Sequence, residues 1–385
     1  MHWYKKFLSL VVVLNPIVHS GNGVSRKVDT VRYPIQALAP IQKRRYDGSH
    51  GKADKRFPDN TVSSRTFISK ELAARDSPEM DKKFCVNDLH MALKIGLIQS
   101  SRGIIRIDRE LYPATLGTIY KGALHAGAIE DVAVKFQTKK MGSLDPKISM
   151  PHSYGSLNHE YRVMLRMQIH DGFPRVYAPN YAGQYPYYVM DYMGENTLES
   201  LHRRSLRSRL PRVFVLEVAG QMLERILAVH KEGFVANDFD LSSFILGPNN
   251  KVYMTDLPLA YPFRNSDRIH INPGDAPYMN MRNVATRRQV EGKMSSRMDD
   301  IERFLYMVVL LLKGKLPWEH VADIRQARTM KLKFVPNDFG LASLTPIFEK
   351  IFQQPFNADP PYVEIADALE KMKTIQKEMR KHSRE

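Results

Sequence analysis

Cysteine is almost absent from this chain of 385 residues, because Cys85 is the only one. An intramolecular disulfide and a metal site built from several cysteines are therefore excluded. The chain also has no Asn-x-Ser/Thr acceptor for N-glycosylation and no His-Glu-x-x-His pair of metal-binding histidines. No segment after the first 20 residues is long and apolar enough to suggest a transmembrane helix.

Positive charge is in excess, with 57 Lys and Arg against 41 Asp and Glu, for a net charge of +16. A basic balance favours acidic partners. No run of Lys and Arg alternates with aromatic residues as in a nucleic-acid-binding module, so we do not expect nucleic acid as a partner. We expect a monomer that acts on or binds a protein partner of acidic character. A basic surface that binds an anionic polymer is a weaker alternative.

The N-terminus has the pattern of a secretory signal peptide. Lys5 and Lys6 precede the apolar run 7–14, and Val18-His19-Ser20 offers a small-residue cleavage site before Gly21. The run is too short to span a bilayer of about 30 Å as a helix. The alternative is a buried N-terminal helix or strand. The pattern predicts a signal peptide over 1–20 and a protein that is secreted or kept in the secretory-pathway lumen.

Polar residues without regular periodicity fill 21–83, which predicts a disordered basic arm or propeptide, or else a solvated linker. A helical lead-in follows over 84–103, with a helix at Val86–Ile95. Strand-like segments then dominate up to about Met190, and helical patterns dominate after Gly194. The nearly all apolar stretch from Asp300 to Lys313 predicts a buried helix. The sequence therefore predicts an α+β fold in which a cleft separates two lobes. The predicted ranges are 104–193 for a small β-rich lobe, 194–375 for a larger helical lobe and 376–385 for a basic tail.

The order of several motifs resembles that of the protein kinases. Val132-Ala-Val-Lys135 is similar to the Val-Ala-Ile-Lys strand, and Glu160 lies in the next predicted helix. Tyr188–Leu198 resembles the hinge of the casein kinase 1 group. The segments Arg297–Met307 and Gly314–Trp318 resemble that group's R-x-D-D-L-E and G-x-L-P-W motifs. The resemblance runs from about residue 104 to 372 and implies a bilobal protein-kinase fold.

Within that group the tau-tubulin kinase branch fits best, since its K-P-S-N-F motif matches Ser242 and Phe244. The resemblance implies ATP and Mg²⁺ as cofactors. The catalytic loop would be Ala236–Phe244, in which Asp238 would accept the proton of the substrate hydroxyl, and Asp300 would cap this loop from below. The implied ATP contacts are Leu111, Gly117, Ile119, Ala133, Lys135 with its partner Glu160, Asp191 and Met193, and the implied metal ligands are Asp256 and Ser243.

The same motifs depart from the family pattern at several positions. Asp240 stands where the family has a lysine that contacts the γ-phosphate, and a carboxylate there repels the charge that develops in phosphoryl transfer. Ser243 replaces a metal-binding asparagine. Pro258 replaces the glycine of the Asp-Phe-Gly motif and fixes φ near −65°. The glycine-rich loop reads Tyr112-Pro-Ala-Thr-Leu-Gly117, so only its last glycine remains. Pro277 stands at a position that is basic in the family.

Two functions of different classes fit these observations. The first is a pseudokinase that keeps the cleft but works as a binding or scaffold module. The alternative is an active secreted serine/threonine kinase that uses Lys135, Glu160, Asp238 and Asp256 with one metal ion. A purely structural interpretation takes Lys135 and Glu160 as an ion pair, and the two aspartates as turn or cap residues.

Overall fold

The computed structural model describes residues 96–138, 156–181, 186–205, 210–265, 269–271, 283–339 and 341–382. The predicted signal peptide, basic arm and Val86–Ile95 helix lie outside these residues, as does Pro277. A lipid bilayer could not be crossed by any helix within the described ranges, since each is too short or too polar.

A curled antiparallel sheet of six strands forms the N-terminal lobe, in the spatial order β1-β2-β3-β4-β6-β5. More than a third of its strand residues are β-branched or aromatic, which favours extended backbone. One face encloses an apolar cluster that includes Ile105, Val134 and Phe136. The strands are β1 Leu97–Ser100, β2 Gly103–Ala114, β3 Gly117–Ala126, β4 Ala128–Gln137, β5 Val176–Asn180 and β6 Tyr187–Asp191.

At the end of the predicted helical lead-in over 84–103, Leu97–Ser100 form strand β1 and not a helix, because these four residues pair with the start of β2. The reason is a tight turn between the two strands. The Ser100 hydroxyl accepts a hydrogen bond from the Arg102 amide at 3.2 Å and donates one to the Gly103 carbonyl at 2.8 Å. Gly103 has a φ of 141°, which favours glycine. The turn therefore closes a hairpin that the apolar periodicity alone did not reveal.

Helices dominate the C-terminal lobe, so the predicted bilobal α+β fold is confirmed. A single apolar core runs from α1 and β6 through the helices below. The helices are α1 Leu157–Met167, which packs on the N-terminal sheet, and then α2 Leu198–Arg204, α3 Arg212–Lys231, α4 Arg287–Val290, α5 Arg297–Lys313, α6 Ile324–Leu332, α7 Thr345–Gln353 and α8 Tyr362–His382. Short strands complete this lobe: β7 Phe234–Val235 pairs with β10 Tyr261–Pro262, and β8 Phe244–Leu246 pairs with β9 Val252–Met254.

Helix α5 is the buried centre of the larger lobe. It begins with a capping box, in which the Ser296 hydroxyl and the Asp299 carboxylate each bind the other's backbone amide. It ends at Gly314, whose φ of 82° is the left-handed conformation of a helix C-terminus. These signals confirm the buried helix expected from residue 300 to 313.

The predicted basic tail over 376–385 is helical as far as His382 and belongs to α8. Residues 376–382 contain no proline or glycine, and all but His382 are strong helix formers. The His382 ring bonds the Glu378 carbonyl at 2.9 Å, one turn earlier. Charge alone was therefore a poor guide to where the lobe ends.

Candidate functional site

Three charged side chains from distant parts of the chain meet at the base of the cleft. Lys135 on β4 donates to Glu160 Oε1 at 2.5 Å and also to Asp256, which is 121 residues away in sequence. Lys135 and Glu160 are 0% exposed and Asp256 is 2% exposed. The Leu257 amide donates to the same Glu160 oxygen at 3.1 Å, so the segment after Asp256 is fixed to α1. The structure thus brings together three of the residues singled out from the sequence.

Burial and the charge of Lys135 act in opposite directions on the pKa values of the two carboxyl groups. Burial raises the pKa of Glu160 to about 7, against the attraction of Lys135. For Asp256, burial also acts to raise the pKa, but the charge and hydrogen bond of Lys135 outweigh it and lower the pKa to about 2. Lys135 and Asp256 are therefore both ionised near neutral pH, and the pKa of Glu160 stands above that of an exposed carboxyl.

The hairpin between β2 and β3 folds onto this cluster. The Thr115 amide and hydroxyl donate to Asp256 Oδ2 at 3.2 and 3.1 Å. The buried Tyr112 side chain reaches the same place: burial raises the pKa of its hydroxyl, and Thr255 and Asp256 both act on it. Since Lys135 holds Asp256 Oδ1, both carboxylate oxygens are engaged. The segment that would cradle phosphates in a glycine-rich loop instead lies against the lobe below.

The mouth of the cleft is bridged as well. Arg109 on β2 forms an ion pair with Glu195, just beyond the hinge, and Tyr192 donates to the same carboxylate at 3.0 Å. Strand β2 also contacts the 3₁₀ turn Leu241–Ser243. The N-terminal lobe is therefore attached to the C-terminal lobe at the mouth of the cleft, along strand β2 and at the base of the cleft.

Gly117, the one remaining loop glycine, has a structural explanation. It pairs with Gln137 across β3 and β4, and a Cβ atom there would lie 1.8 Å from the Phe136 carbonyl oxygen. Glycine is needed for the close approach of β4, whether or not a phosphate is bound.

The other predicted ATP contacts surround the same cleft. Ile119 and Ala133 are buried in the core that joins the lobes, and Leu111 and Met193 pack against it. Asp191, at the end of β6, accepts from Arg175 at 2.8 Å. The structure thus gathers the apolar positions around the cleft but turns the Asp191 carboxylate to a surface ion pair.

Asp238, the predicted proton acceptor, is buried at 1% exposure beside a guanidinium. Arg303 Nη1 on α5 lies 3.6 Å from Asp238 Oδ1. The same guanidinium donates to the Phe239 carbonyl at 3.0 Å and to Gln289 Oε1 at 2.5 Å. Sequence reasoning missed Arg303, although a charge within a helix predicted to be buried was the signal that could have found it.

Asp240 and Ser243 bind each other within the catalytic loop. Asp240 Oδ1 accepts from the Ser242 amide at 2.8 Å and from its hydroxyl at 2.5 Å. The Ser243 hydroxyl, fully buried, accepts from the Asp240 amide at 3.2 Å. This is a capping box, which is a structural use of both side chains.

The donors predicted for Mg²⁺ do not fit a metal ion as they are arranged. Asp256 is held by Lys135 and Thr115, and the Ser243 oxygen faces its own turn. Within the described ranges, no group of three or more His, Cys, Asp or Glu side chains is placed to hold a metal. Oxygen donors would have to be released before a cation could enter.

Asp300 caps the catalytic loop from below, which confirms that expectation. Its oxygens accept from the amides of Ala236 at 2.6 Å and Asn237 at 2.9 Å. His230 bonds Asp300 at 2.8 Å through Nε2 and the Tyr362 hydroxyl at 2.6 Å through Nδ1. A buried chain of hydrogen bonds thus connects α8 to the loop.

Comparison with known proteins gives casein kinase relatives. The chain is 25% identical over 237 residues to casein kinase I homolog 3 of Schizosaccharomyces pombe, which covers 60% of this chain and 50% of that protein. It is 27% identical over 203 residues to a probable casein kinase I homolog of Encephalitozoon cuniculi, covering 47% and 62%. The chain thus spans about half to three fifths of the length of these relatives. No protein-family model matches it.

Among solved structures, vaccinia related kinase 3 superposes with a TM-score of 0.57 at 15% identity, covering 74% of this chain and 92% of that one. This similarity shows the fold alone. The two casein kinase relatives, the kinase fold and the order of the motifs agree with one another. These findings support placing the chain in the protein kinase superfamily, within its casein kinase 1 group.

Proposed function

We propose that this kinase-like protein is a pseudokinase of the secretory pathway, which works as a binding or scaffold module rather than by phosphoryl transfer. The observation that carries the proposal is the state of Asp256. The chain's own Lys135 and Thr115 occupy the two oxygens that a magnesium ion would need.

The rest of the cleft supports the same conclusion. Entry of Mg·ATP would require Thr115 and Tyr112 to move away and Lys135 to separate from Asp256. Each group that moves would lose a buried hydrogen bond or ion pair, which is costly where no water replaces it. Asp238 would also have to leave Arg303 to accept a proton from a substrate. Binding energy from the nucleotide would be spent on these rearrangements.

One observation favours the alternative of an active serine/threonine kinase that transfers the ATP γ-phosphate to protein. Lys135 and Glu160 form the ion pair that catalysis by kinases requires. In this alternative, opening of the β2–β3 hairpin would precede ATP binding.

Thermal unfolding with Mg·ATP separates the two. A kinase that binds with a Kd of about 10 µM is stabilised by about 2.7 kcal/mol at 1 mM ligand. This corresponds to a rise in Tm of about 5 °C or more for a domain of this size. For the present chain we expect a rise of less than about 1 °C, because the ligand must first break the contacts of Asp256.

The Asp256→Asn variant is the control for that measurement. A rise of several degrees in the wild type that this variant abolishes would show an open metal site. Transfer of labelled phosphate to an acidic protein substrate, lost in Asp238→Ala, would then establish the kinase alternative. Without such a rise or transfer, the pseudokinase proposal stands.

The proposed location follows from the N-terminal pattern and has its own test. After expression in a eukaryotic secretory host, we expect the mature protein to begin at Gly21, because signal peptidase cuts after small residues. A second cut at the basic sites 43–45 or 55–56 of the arm would place the start further along the chain. N-terminal sequencing measures this. A product that retains Met1 and stays in the cytosol would contradict the proposal.

The partner that we propose is a protein of acidic character, which this chain would bind as a monomer.

A further inference from the structure

Helix α4 is a four-residue helix attached to the larger lobe by charged and polar side chains. The Thr286 hydroxyl donates to Asp299 Oδ1 at 2.9 Å, and the Arg287 amide donates to Glu302 Oε1 at 2.9 Å. Arg288 Nε lies 3.7 Å from Asp299 Oδ2. The residues just before α4 are held in the same way, because Lys331 on α6 donates to the carbonyls of residues 283 and 285. Three titratable groups, Asp299, Glu302 and Lys331, therefore lie beneath this segment.

Asp299 is buried at the start of α5. It accepts from the Ser296 amide at 2.8 Å and the Ser296 hydroxyl at 2.7 Å, besides the contact with Thr286. Burial and then the nearby charge of Glu302 raise the pKa of Asp299 to about 6, against the opposing effects of Ser296 and Arg288. In the folded protein this carboxyl therefore stays protonated at pH values at which an exposed aspartate would be ionised.

Lys331 is only 2% exposed and lies against two aromatic rings. Its ammonium is 4.9 Å from the centre of the Trp318 ring and 5.3 Å from that of Tyr306. Burial lowers the pKa of Lys331 to about 7; Glu302 opposes this change and Arg303 adds to it. The carbonyls and rings therefore compensate only part of the lost hydration of the ammonium.

Glu302 lies between these two groups and connects them. It is buried, accepts from the Tyr306 hydroxyl at 2.7 Å, and pairs with the Arg287 side chain at 3.3 Å. Arg303 is turned toward Gln289 and the catalytic loop. The charged groups facing Asp299 are therefore Arg288 and Glu302, and those facing Lys331 are Glu302 and Arg303.

We propose that α4, together with residues 283–286 that lead into it, is a pH-responsive joint that is held most loosely near neutral pH. When this segment moves away from α5 and α6, water reaches the side chains of Asp299 and Lys331. Opening is most favoured at a pH where both side chains are charged, because burial destabilises the charged form of each. This inference holds whether or not the cleft binds nucleotide.

The direction of each effect follows from proton linkage. For Asp299, the stabilisation of the closed joint is fully present below pH of about 4 and is lost as the pH rises through about 6. For Lys331, the stabilisation is present above pH of about 10 and is lost as the pH falls through about 7. Both groups are charged and buried between these values. Stability of the joint is therefore lowest at pH of about 6 to 7 and rises on either side, by up to about tenfold per pH unit in the opening equilibrium.

Amide hydrogen exchange on the full chain tests this, with rates corrected for the intrinsic effect of pH. The reporter amides are Val290, Glu291 and Gly292, which bond to carbonyls of α4 and its cap. We expect the protection of these amides to be lowest near pH 6.5 and at least about fivefold greater at pH 5 and at pH 8.5. Protection that is flat, or that changes in one direction only, overturns the proposal.

Two variants show which residue causes each limb of that pH profile, that is, the rise in protection below and above pH of about 6.5. Asp299→Asn should remove the acid limb, and Lys331→Met should remove the alkaline limb. Asp323→Asn changes an exposed cap on α6 and should leave both limbs in place. Amides in the interior of α5 report global unfolding in the same samples. If they show the same profile as the reporter amides, the effect belongs to the whole fold and the proposal is wrong. If a variant fails to fold, the two limbs of the wild-type profile still decide the question.

Discussion

Replacing Lys135 by methionine should destabilise the protein by about 3–5 kcal/mol, which is the usual cost of removing one partner from a buried ion pair. Methionine fills nearly the same volume, so the loss arises from charge and not from a cavity. Asp256 would keep only the donors of Thr115, and Glu160 only the Leu257 amide. In a kinase with an open cleft, water and nucleotide would solvate these groups and the loss would be small. Urea denaturation of both proteins measures the difference.

Two further variants make this result specific. Adding Asp256→Asn to Lys135→Met should recover at least half of the loss, since neutral groups of similar shape tolerate burial far better than an unpaired charge. Lys121→Met is the matched control. Lys121 pairs with Asp131 at 2.9 Å on the partly exposed next strand, and its loss should cost less than about 1 kcal/mol. Equal effects at Lys121 and Lys135 would mean that the cluster is hydrated.

Replacing Arg303 by methionine should also cost about 3–5 kcal/mol, because it leaves the Asp238 carboxylate buried without its cationic neighbour. The Phe239 carbonyl and the Gln289 side chain would lose their donor in the same step. The free energy of unfolding is again the quantity to measure. A substitution at exposed Arg325 on α6 is the control and should stay within about 0.5 kcal/mol.

A double-mutant cycle with Asp238→Asn tests the pairing itself. Asp238→Asn should destabilise the wild type but be neutral or stabilising in the Arg303→Met background, where the buried carboxylate has lost its cationic neighbour. Catalytic aspartates in accessible sites are not expected to behave in this way. Additive effects of the two substitutions would show that Arg303 and Asp238 do not interact.

The sequence carried enough information to place the cleft. Motif order follows the order of elements along a kinase fold, so Lys135, Glu160 and Asp256 could be expected to meet although 121 residues separate the first from the last. Asp300 could be assigned beneath the catalytic loop for the same reason. Whether these side chains handle ATP is a separate prediction, tested by the measurements above.

The features that the sequence did not reveal depend on contacts between distant segments, and no periodic pattern in the sequence connects such segments. Thr115 reaches Asp256 because the tip of a hairpin folds across the cleft, and 141 residues separate the two. Arg303 was passed over as one charge in an apolar helix, although its burial demanded a partner. The Ser243 hydroxyl was assigned to a metal because residue type was considered without the direction of the side chain. Strand β1 arose from a two-residue turn rather than from the apolar pattern before it.

The support that Asp300 gives to the catalytic loop has a consequence for protein engineering. Asp300 holds the main chain at Ala236 and Asn237, and neither contact uses a side chain of the loop. The first part of the loop is therefore fixed through its main chain. A programme to restore enzymatic turnover could keep Asp300 as the anchor of the main chain, but it would have to replace the Asp240–Ser243 capping box and pull the overlying hairpin away from the pocket.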